Sequence, residues 1–315
     1  MSAPEVVTIG ETMVSLRTGT PLRMGGMLAM SMAGSESNVA IGLTRLGHSV
    51  RWGGRVGADE VGTFLLRTLK SESVLVDTVE IDPHRSTGLM LAERRISDLS
   101  RVSYYRERPA GSALCTSDAA KALKDIPRIL HVTGITPAIS STAAEAVDWA
   151  VRRAREAGAL VSVDVNYRSR LWSIDEARPV LSALVRSADI VIASEDELDL
   201  VVAASDEMAA ADELREFGVR DLVIKRGARG ATVWRDRVAS HAEAIRIPVL
   251  DTIGAGDALT AGYLSGLLDG VAPAEALYRG TVTASFAVAT VGDWEGLPNR
   301  DELSLLDNES GTTLR

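Results

Sequence analysis

The sequence predicts an α/β fold: a doubly wound, mainly parallel sheet sandwiched by helices, with a small β lid outside it. Three observations predict it. Short β-branched runs alternate with longer helical patterns along most of the chain. Those runs are continuously apolar, as strands covered on both faces must be. Two segments, residues 13–33 and 86–108, break the alternation by placing strand-like runs in succession.

Taken in order, VVTIGE at 6–11 reads as the first strand and SNVAIGLTRLG at 37–47 as the helix after it. VRWGGRVG at 50–57 and DEVGTFLLRTLKSE at 59–72 repeat the pair. TGLMLAERR and RVSYYRER then follow one another without a helix; with residues 13–33 they are expected to form a small antiparallel sheet. Such a sheet is either a lid over ligands at the carboxyl ends of the core strands or a hairpin with no ligand role. After residue 125 the rhythm returns as ILHVTGIT, the helix AAEAVDWAVRRAREAG, LVSVDVNY, a helix before Asp189, IVIAS, another helix and DLVIKRG. Right-handed helical crossovers between parallel strands account for this order. The last unit, IPVLDTIGAGDALTAGYLSGLLDG, reads as a strand ending near Leu250, a turn, and a helix beginning around Gly256. The whole chain, 1–315, is expected to be one domain, with a frayed polar tail over 303–315.

Composition narrows the function. A net charge of −9 gives no basic face to neutralise a phosphate backbone, so neither nucleic acid nor an acidic membrane is an expected partner. Any anionic ligand must be held locally. No apolar run reaches a membrane span, the start MSAPEVVTIG lacks a basic then apolar leader, and the lone Cys115 has no disulfide partner. A cytoplasmic protein is the expectation. His48, His84, His131 and His241 are scattered without metal-ligand spacing, which argues against a transition-metal site.

The chemistry concentrates in DTIGAGDALTAG. Gly254, Ala255 and Gly256 let the backbone approach a ligand closely, and the free amides of a helix start present the positive end of its dipole. The segment is neither a Walker loop nor a dinucleotide fingerprint. Asp257 can be a helix cap or dipole partner. It can also be a base: if the anion develops only during reaction, a neutral cradle of donors, the backbone amides of Gly254, Ala255 and Gly256, suffices and the adjacent carboxylate takes a proton. Phosphoryl transfer from a nucleotide to a hydroxyl fits that division of labour.

DTIGAGDALTAG and the early AGSESNVAIGLTRLG resemble the two signatures of the ribokinase-like (PfkB) sugar kinases, and the likeness runs through GRVGADEVG, TGIT, LVIKRGARGA and GDWEG to cover nearly the whole chain. Within that family, RVSYYRERPAGSAL, LHVTGITPAIS and VSVDVNYRSRLW are most similar to segments of 2-keto-3-deoxygluconate kinases. The resemblance implies a lidded α/β core, ATP as donor, and transfer to the terminal hydroxyl of a six-carbon keto-acid. It implies substrate contacts at Gly34, Asn38, Tyr104, Arg106, Ile135 and Arg168. The residues agree in part: on an extended strand Tyr104 and Arg106 share a face, and a guanidinium such as that of Arg168 grips a carboxylate in a way that a neutral hexose does not need. Nucleotide contacts are implied at Asn166, Ser194, Lys225, Gly227, Arg229 and Gly230, though a glycine-bearing turn also occurs without a ligand. Mg²⁺ is implied with the nucleotide, Glu197 serving through water, and a monovalent cation such as K⁺ near Asp251. Three positions depart from the resembling pattern: Ser194 replaces the broad family's asparagine, Met90 a frequent tyrosine, and Ala33 a glycine. A kinase for a neutral ketose such as fructose, and a regulator that binds sugar or nucleotide without turnover, are the alternatives. Exposed lid strands give a homo-oligomer as the expected assembly.

Overall fold

A computed structural model describes residues 3–96, 99–105 and 107–307. From the amino end the elements are β1 (Val6–Ile9), β2 (Met13–Thr18), β3 (Ala29–Ala33), α1 (Ser35–Arg45), β4 (Val50–Gly53), β5 (Arg55–Gly57) and α2 (Glu60–Ser71). There follow β6 (Glu80–Asp82), β7 (Leu89–Ile96), β8 (Leu99–Tyr105), α3 (Thr116–Ala122), β9 (Ile129–Thr133), α4 (Ile135–Ile139), α5 (Ser141–Glu156) and β10 (Leu160–Asp164). The remainder is α6 (Ile174–Val185), β11 (Ile190–Ser194), α7 (Glu195–Val201), α8 (Glu207–Glu216), β12 (Asp221–Lys225), β13 (Ala231–Arg235), β14 (Val238–Ala242), α9 (Ala255–Leu268) and α10 (Pro273–Val288).

Eight strands form the main sheet in the order β14-β13-β12-β11-β10-β9-β1-β4. From β4 to β12 every pairing is parallel; β13 and β14 close the edge as antiparallel strands. Successive side chains of a strand point to opposite faces, and the core divides accordingly. Val7, Leu130, Val132, Val161, Val163 and Val191 pack on one face with α3, α5 and α6. Val6, Ile129, Ile190, Ile192 and Val223 pack on the other with α1, α2, α9 and α10. Both faces are covered, which is why these strands read as unbroken apolar runs.

Residues 13–33 and 86–108 supply a second sheet, β3-β2-β7-β8. It is mixed where an antiparallel sheet was expected: β2 and β7 pair in parallel, with the elements from β3 to β6 lying between them in the chain as a crossover. The strand expected to end near Leu250 does not form. The amides of Leu250 and Asp251 bond instead to the Val288 carbonyl at the end of α10. Residues 300–307 wind as a 3-10 helix, so the first part of the tail expected to be frayed is ordered; the rest of that expectation lies outside the described residues.

Candidate active site

At the start of α9 the chain makes a turn that only glycine suits. Gly254 has φ +79°, and a Cβ there would stand 1.9 Å from the Asp293 carbonyl oxygen. The Ala255 amide turns back to the Thr252 carbonyl at 3.4 Å. Gly256 and Asp257 are the next two helical positions, whose amides have no carbonyl four residues earlier in the helix to bond. They are donors that the helix start offers; of the expected Gly254, Ala255 and Gly256 set, the Ala255 amide is instead taken by Thr252, and Asp257 adds its own.

The carboxylate of Asp257 is held from α1. Ser35 Oγ donates to its Oδ1 at 2.6 Å and Asn38 Nδ2 to its Oδ2 at 2.8 Å. Helix periodicity explains how two helices achieve this. Gly42 lies one turn beyond Asn38 and Ala261 one turn beyond Asp257, and a Cβ on Gly42 would stand 2.6 Å from that of Ala261. This contact between small residues brings the helices close enough for the pair one turn earlier to meet. Asn166, just beyond β10 with φ +41°, donates to Ser35 Oγ at 2.8 Å and so extends the relay. Burial raises the Asp257 pKa above its ordinary value; the Ser35 and Asn38 bonds oppose this, Asp164 adds to it, and Arg168 opposes it. A carboxylate tuned upward is the better proton acceptor.

Two further buried groups flank it. Lys225, at the end of β12, donates to both oxygens of Asp164 at 2.7 and 2.8 Å. Burial disfavours its ammonium, but Asp164 and then Glu197 outweigh that and raise its pKa. A Cβ on Gly256 would lie 3.6 Å from Lys225 Nζ, so a lysine does stand beside the small-residue turn, supplied by a distant strand. Glu36 accepts from Thr133 Oγ1 at 2.7 Å and Thr136 Oγ1 at 2.6 Å, and burial pushes its pKa up to about 7.

Two clefts open on either side of this turn. One, of about 400 Å³, is lined by Gly34, Asn38, Tyr104, Ile135, Arg168, Asn166 and Ser194 among others, with Asp257 at its floor. The other, of about 470 Å³, is lined by Gly227, Gly230 and the apolar side chains of Ile245, Ile247, Val249, Leu259 and Val288. Lys225, Thr252 and Gly256 line both. The first sits at the carboxyl ends of the parallel strands, under the second sheet, where doubly wound folds bind their ligands.

The other expected residues are placed by their own local partners. Asn166 and Ser194 line the first cleft and not the second, because Asn166 turns to Ser35 and Ser194 caps α7, exchanging hydrogen bonds with Glu197. Arg229 points away from both clefts and pairs with Glu195. Both Glu197 oxygens accept backbone amides, of Tyr167 and Ser194, each at 2.8 Å. Arg106 lies outside the described residues. Asp251 is not open toward a cation; Arg17 of β2 donates to it at 2.8 Å. Ser35, Asp164, Glu36 and Arg17 were not singled out from sequence. Ser35 stands inside the early motif, where a hydroxyl four residues ahead of a helical apolar stripe is the available signal. Arg17 gives none, since its partners are 234 and 276 residues away.

Residues 3–300 match the pfkB family carbohydrate kinases. The chain belongs to the PfkB family. The PfkB chain is 34% identical over 309 residues to a 2-dehydro-3-deoxygluconokinase of Bacillus subtilis (strain 168), covering 95% of this chain and 94% of that one. It is 33% identical to a 2-dehydro-3-deoxygluconokinase of Thermoproteus tenax, covering 94% and 92%. An E. coli protein described as ribokinase II, crystallised with ATP and Mg²⁺, superposes with a TM-score of 0.89 at 25% identity, over 96% of this PfkB chain and 99% of that one.

Proposed function

We propose that the protein is an ATP-dependent kinase of a sugar acid, transferring phosphate to the terminal hydroxyl of 2-keto-3-deoxygluconate. One observation carries the reading: two clefts of different chemistry meet at the Gly254–Asp257 turn, and Asp257 faces the one that Arg168 lines. The apolar cleft suits an adenine ring, with Gly227 and Gly230 allowing close approach of the nucleotide. In the other cleft the acceptor hydroxyl lies against Asp257, which takes its proton as the oxygen bonds to the γ-phosphorus and ADP leaves. The Gly256 and Asp257 amides, with Lys225 beside them, face the charge on the migrating phosphoryl group. Gly254 sets the turn that aims them.

Arg168 favours an acid over a neutral sugar. Its guanidinium is exposed at the rim, tied only to the Tyr167 carbonyl at 3.2 Å in the contacts described, and is placed to pair with a carboxylate. Gly34, Asn38, Tyr104 and Ile135 complete the sugar side. Among the described residues no group of three or more His, Cys, Asp or Glu side chains could hold a metal ion. Mg²⁺ is therefore expected to arrive on the nucleotide phosphates, whose charge it neutralises, with Glu197 reaching it through water. The buried Ser35 and Asn38 bonds that orient Asp257 favour turnover over mere binding, because binding alone needs no oriented base.

The test is ADP release from ATP with a panel of keto-acids and hexoses. Fastest turnover of 2-keto-3-deoxygluconate is expected. Turnover of fructose alone would make the protein a ketose kinase, and ATP binding without ADP release on any acceptor would make it a regulator.

A further inference from the structure

Two carboxylates lie buried behind the phosphoryl-transfer turn, Asp251 at 2% exposure and Asp293 at 5%. They sit at either flank of Gly254: Asp251 begins the turn, and the Asp293 carbonyl fills the space a Gly254 side chain would need. Charges buried this far require a countercharge. It comes from the second sheet. Arg17 of β2 has a side chain only 13% exposed, and its Nη1 donates to Asp251 Oδ2 at 2.8 Å while Nη2 donates to Asp293 Oδ1. The second oxygen of Asp251 accepts the Ile253 amide at 3.2 Å. The resemblance implies a monovalent cation near Asp251; the surroundings do not fit one. A second positive charge about 4 Å from the guanidinium, at an effective dielectric near 20, would bind roughly a thousandfold more weakly than beside the bare carboxylates.

We infer that Arg17, bridging Asp251 and Asp293, serves as a built-in cation that fixes the Gly254–Asp257 turn and makes phosphoryl transfer by this protein independent of monovalent cations. The guanidinium is planar and reaches both carboxylates at once, so it spans the two flanks of the turn as a bound ion would. It does more than an ion, since it also ties the turn to the sheet over the sugar cleft. Two neighbouring contacts run the same way: Arg94 of β7 donates to the Leu250 carbonyl at 2.8 Å, and Ser31 of β3 donates to Glu295. Arg17 is thus a positioning residue, acting on the backbone donors through the carboxylates it holds.

The inference rests on the kinase reading, and the experiment separates the two. ADP release and melting temperature are measured in chloride salts of K⁺, Na⁺ and tetramethylammonium at one ionic strength, for the native protein and for Arg17→Met. The native protein is expected to change turnover by less than about twofold between salts and to melt at one temperature. Arg17→Met is expected to lose at least about tenfold in tetramethylammonium, to regain at least about fivefold in K⁺, and to melt higher in K⁺. Tenfold activation of the native protein by K⁺ would overturn the inference, as would an Arg17→Met protein that does not respond to cations. If Arg17→Met does not fold, Arg17→Lys decides: continued cation independence supports the inference, and K⁺ activation overturns it. Failure of every acceptor would remove the kinase reading, while the melting series would still test Arg17.

Discussion

Replacing Glu36 by glutamine should make the protein more stable at alkaline pH and leave it nearly unchanged in acid. Glu36 is 1% exposed, and one of its oxygens accepts from both Thr133 and Thr136. Burial raises its pKa from an ordinary 4.5 to about 7. Below the ordinary value both folded and unfolded chains hold the proton, and the carboxyl costs nothing. As pH rises from about 4.5 the unfolded chain releases its proton while the folded chain keeps it, so stability falls until the folded group also ionises near 7. The gap of about 2.5 pKa units corresponds to roughly 3 kcal/mol above that pH. Glutamine keeps the oxygen that the two threonines bond and has no proton to lose. With an unfolding entropy of about 2.1 cal/mol/K per residue, 3 kcal/mol is about 5 °C in a chain of 315 residues. Melting of Glu36→Gln and the native protein followed by circular dichroism should therefore show a gap that opens by about 4–5 °C between about pH 4.5 and pH 8. A constant gap, or a variant that melts lower at pH 8, would mean that Glu36 is already ionised in the fold and that its burial does not hold the proton.

Three other outcomes follow from the same site. Gly254→Ala forces a side chain into a φ of +79° and against the Asp293 carbonyl, so a loss of at least about 2 kcal/mol in denaturant melts and of tenfold or more in turnover is expected; a variant within about 0.5 kcal/mol of native would contradict the strained turn. Arg168→Ala should raise the Michaelis constant for the keto-acid roughly ten- to a hundredfold, the size of a lost charged hydrogen bond, and leave that for a neutral ketose nearly unchanged; equal effects on both would detach Arg168 from acid recognition. The connection between β2 and β3 leaves Met24 and Met27 exposed, Met27 at 93%, with Met30 of β3 beside them in the chain, and a second copy of the chain is the expected cover; sedimentation at the 33.5 kDa monomer mass at micromolar concentration would remove that expectation.

What the sequence disclosed and what it withheld follow from the range of the interactions. Strands such as IVIAS and ILHVT are legible because both faces are buried and every position reports the same environment. The helix starting at Ala255, and Asp257 in its first turn, are legible because small residues before an acidic one at a helix start are a local pattern. IPVL has a strand's composition, yet it joins no strand ladder, and the amide of its Leu250 goes to the end of α10 instead. Asn166 and Ser194 lie near the ends of adjacent strands, but which cleft each faces depends on partners 131 residues away in one case and on a helix cap in the other. Arg17 was invisible for the strongest form of that reason: nothing within MVSLRT distinguishes an arginine bound for two buried carboxylates from one on a solvated strand.

In the proposed reaction Asp257, held by Ser35 and Asn38, receives the acceptor's proton. Asp257→Asn keeps the size and one hydrogen-bond acceptor of the side chain while removing its basicity, so kcat from ADP release and the ATP dissociation constant from calorimetry should be measured on the same preparation. With Asp257 as the base, a fall in kcat of roughly 10²–10⁴-fold is expected, with ATP affinity within about threefold of native. Native turnover in Asp257→Asn would contradict that role.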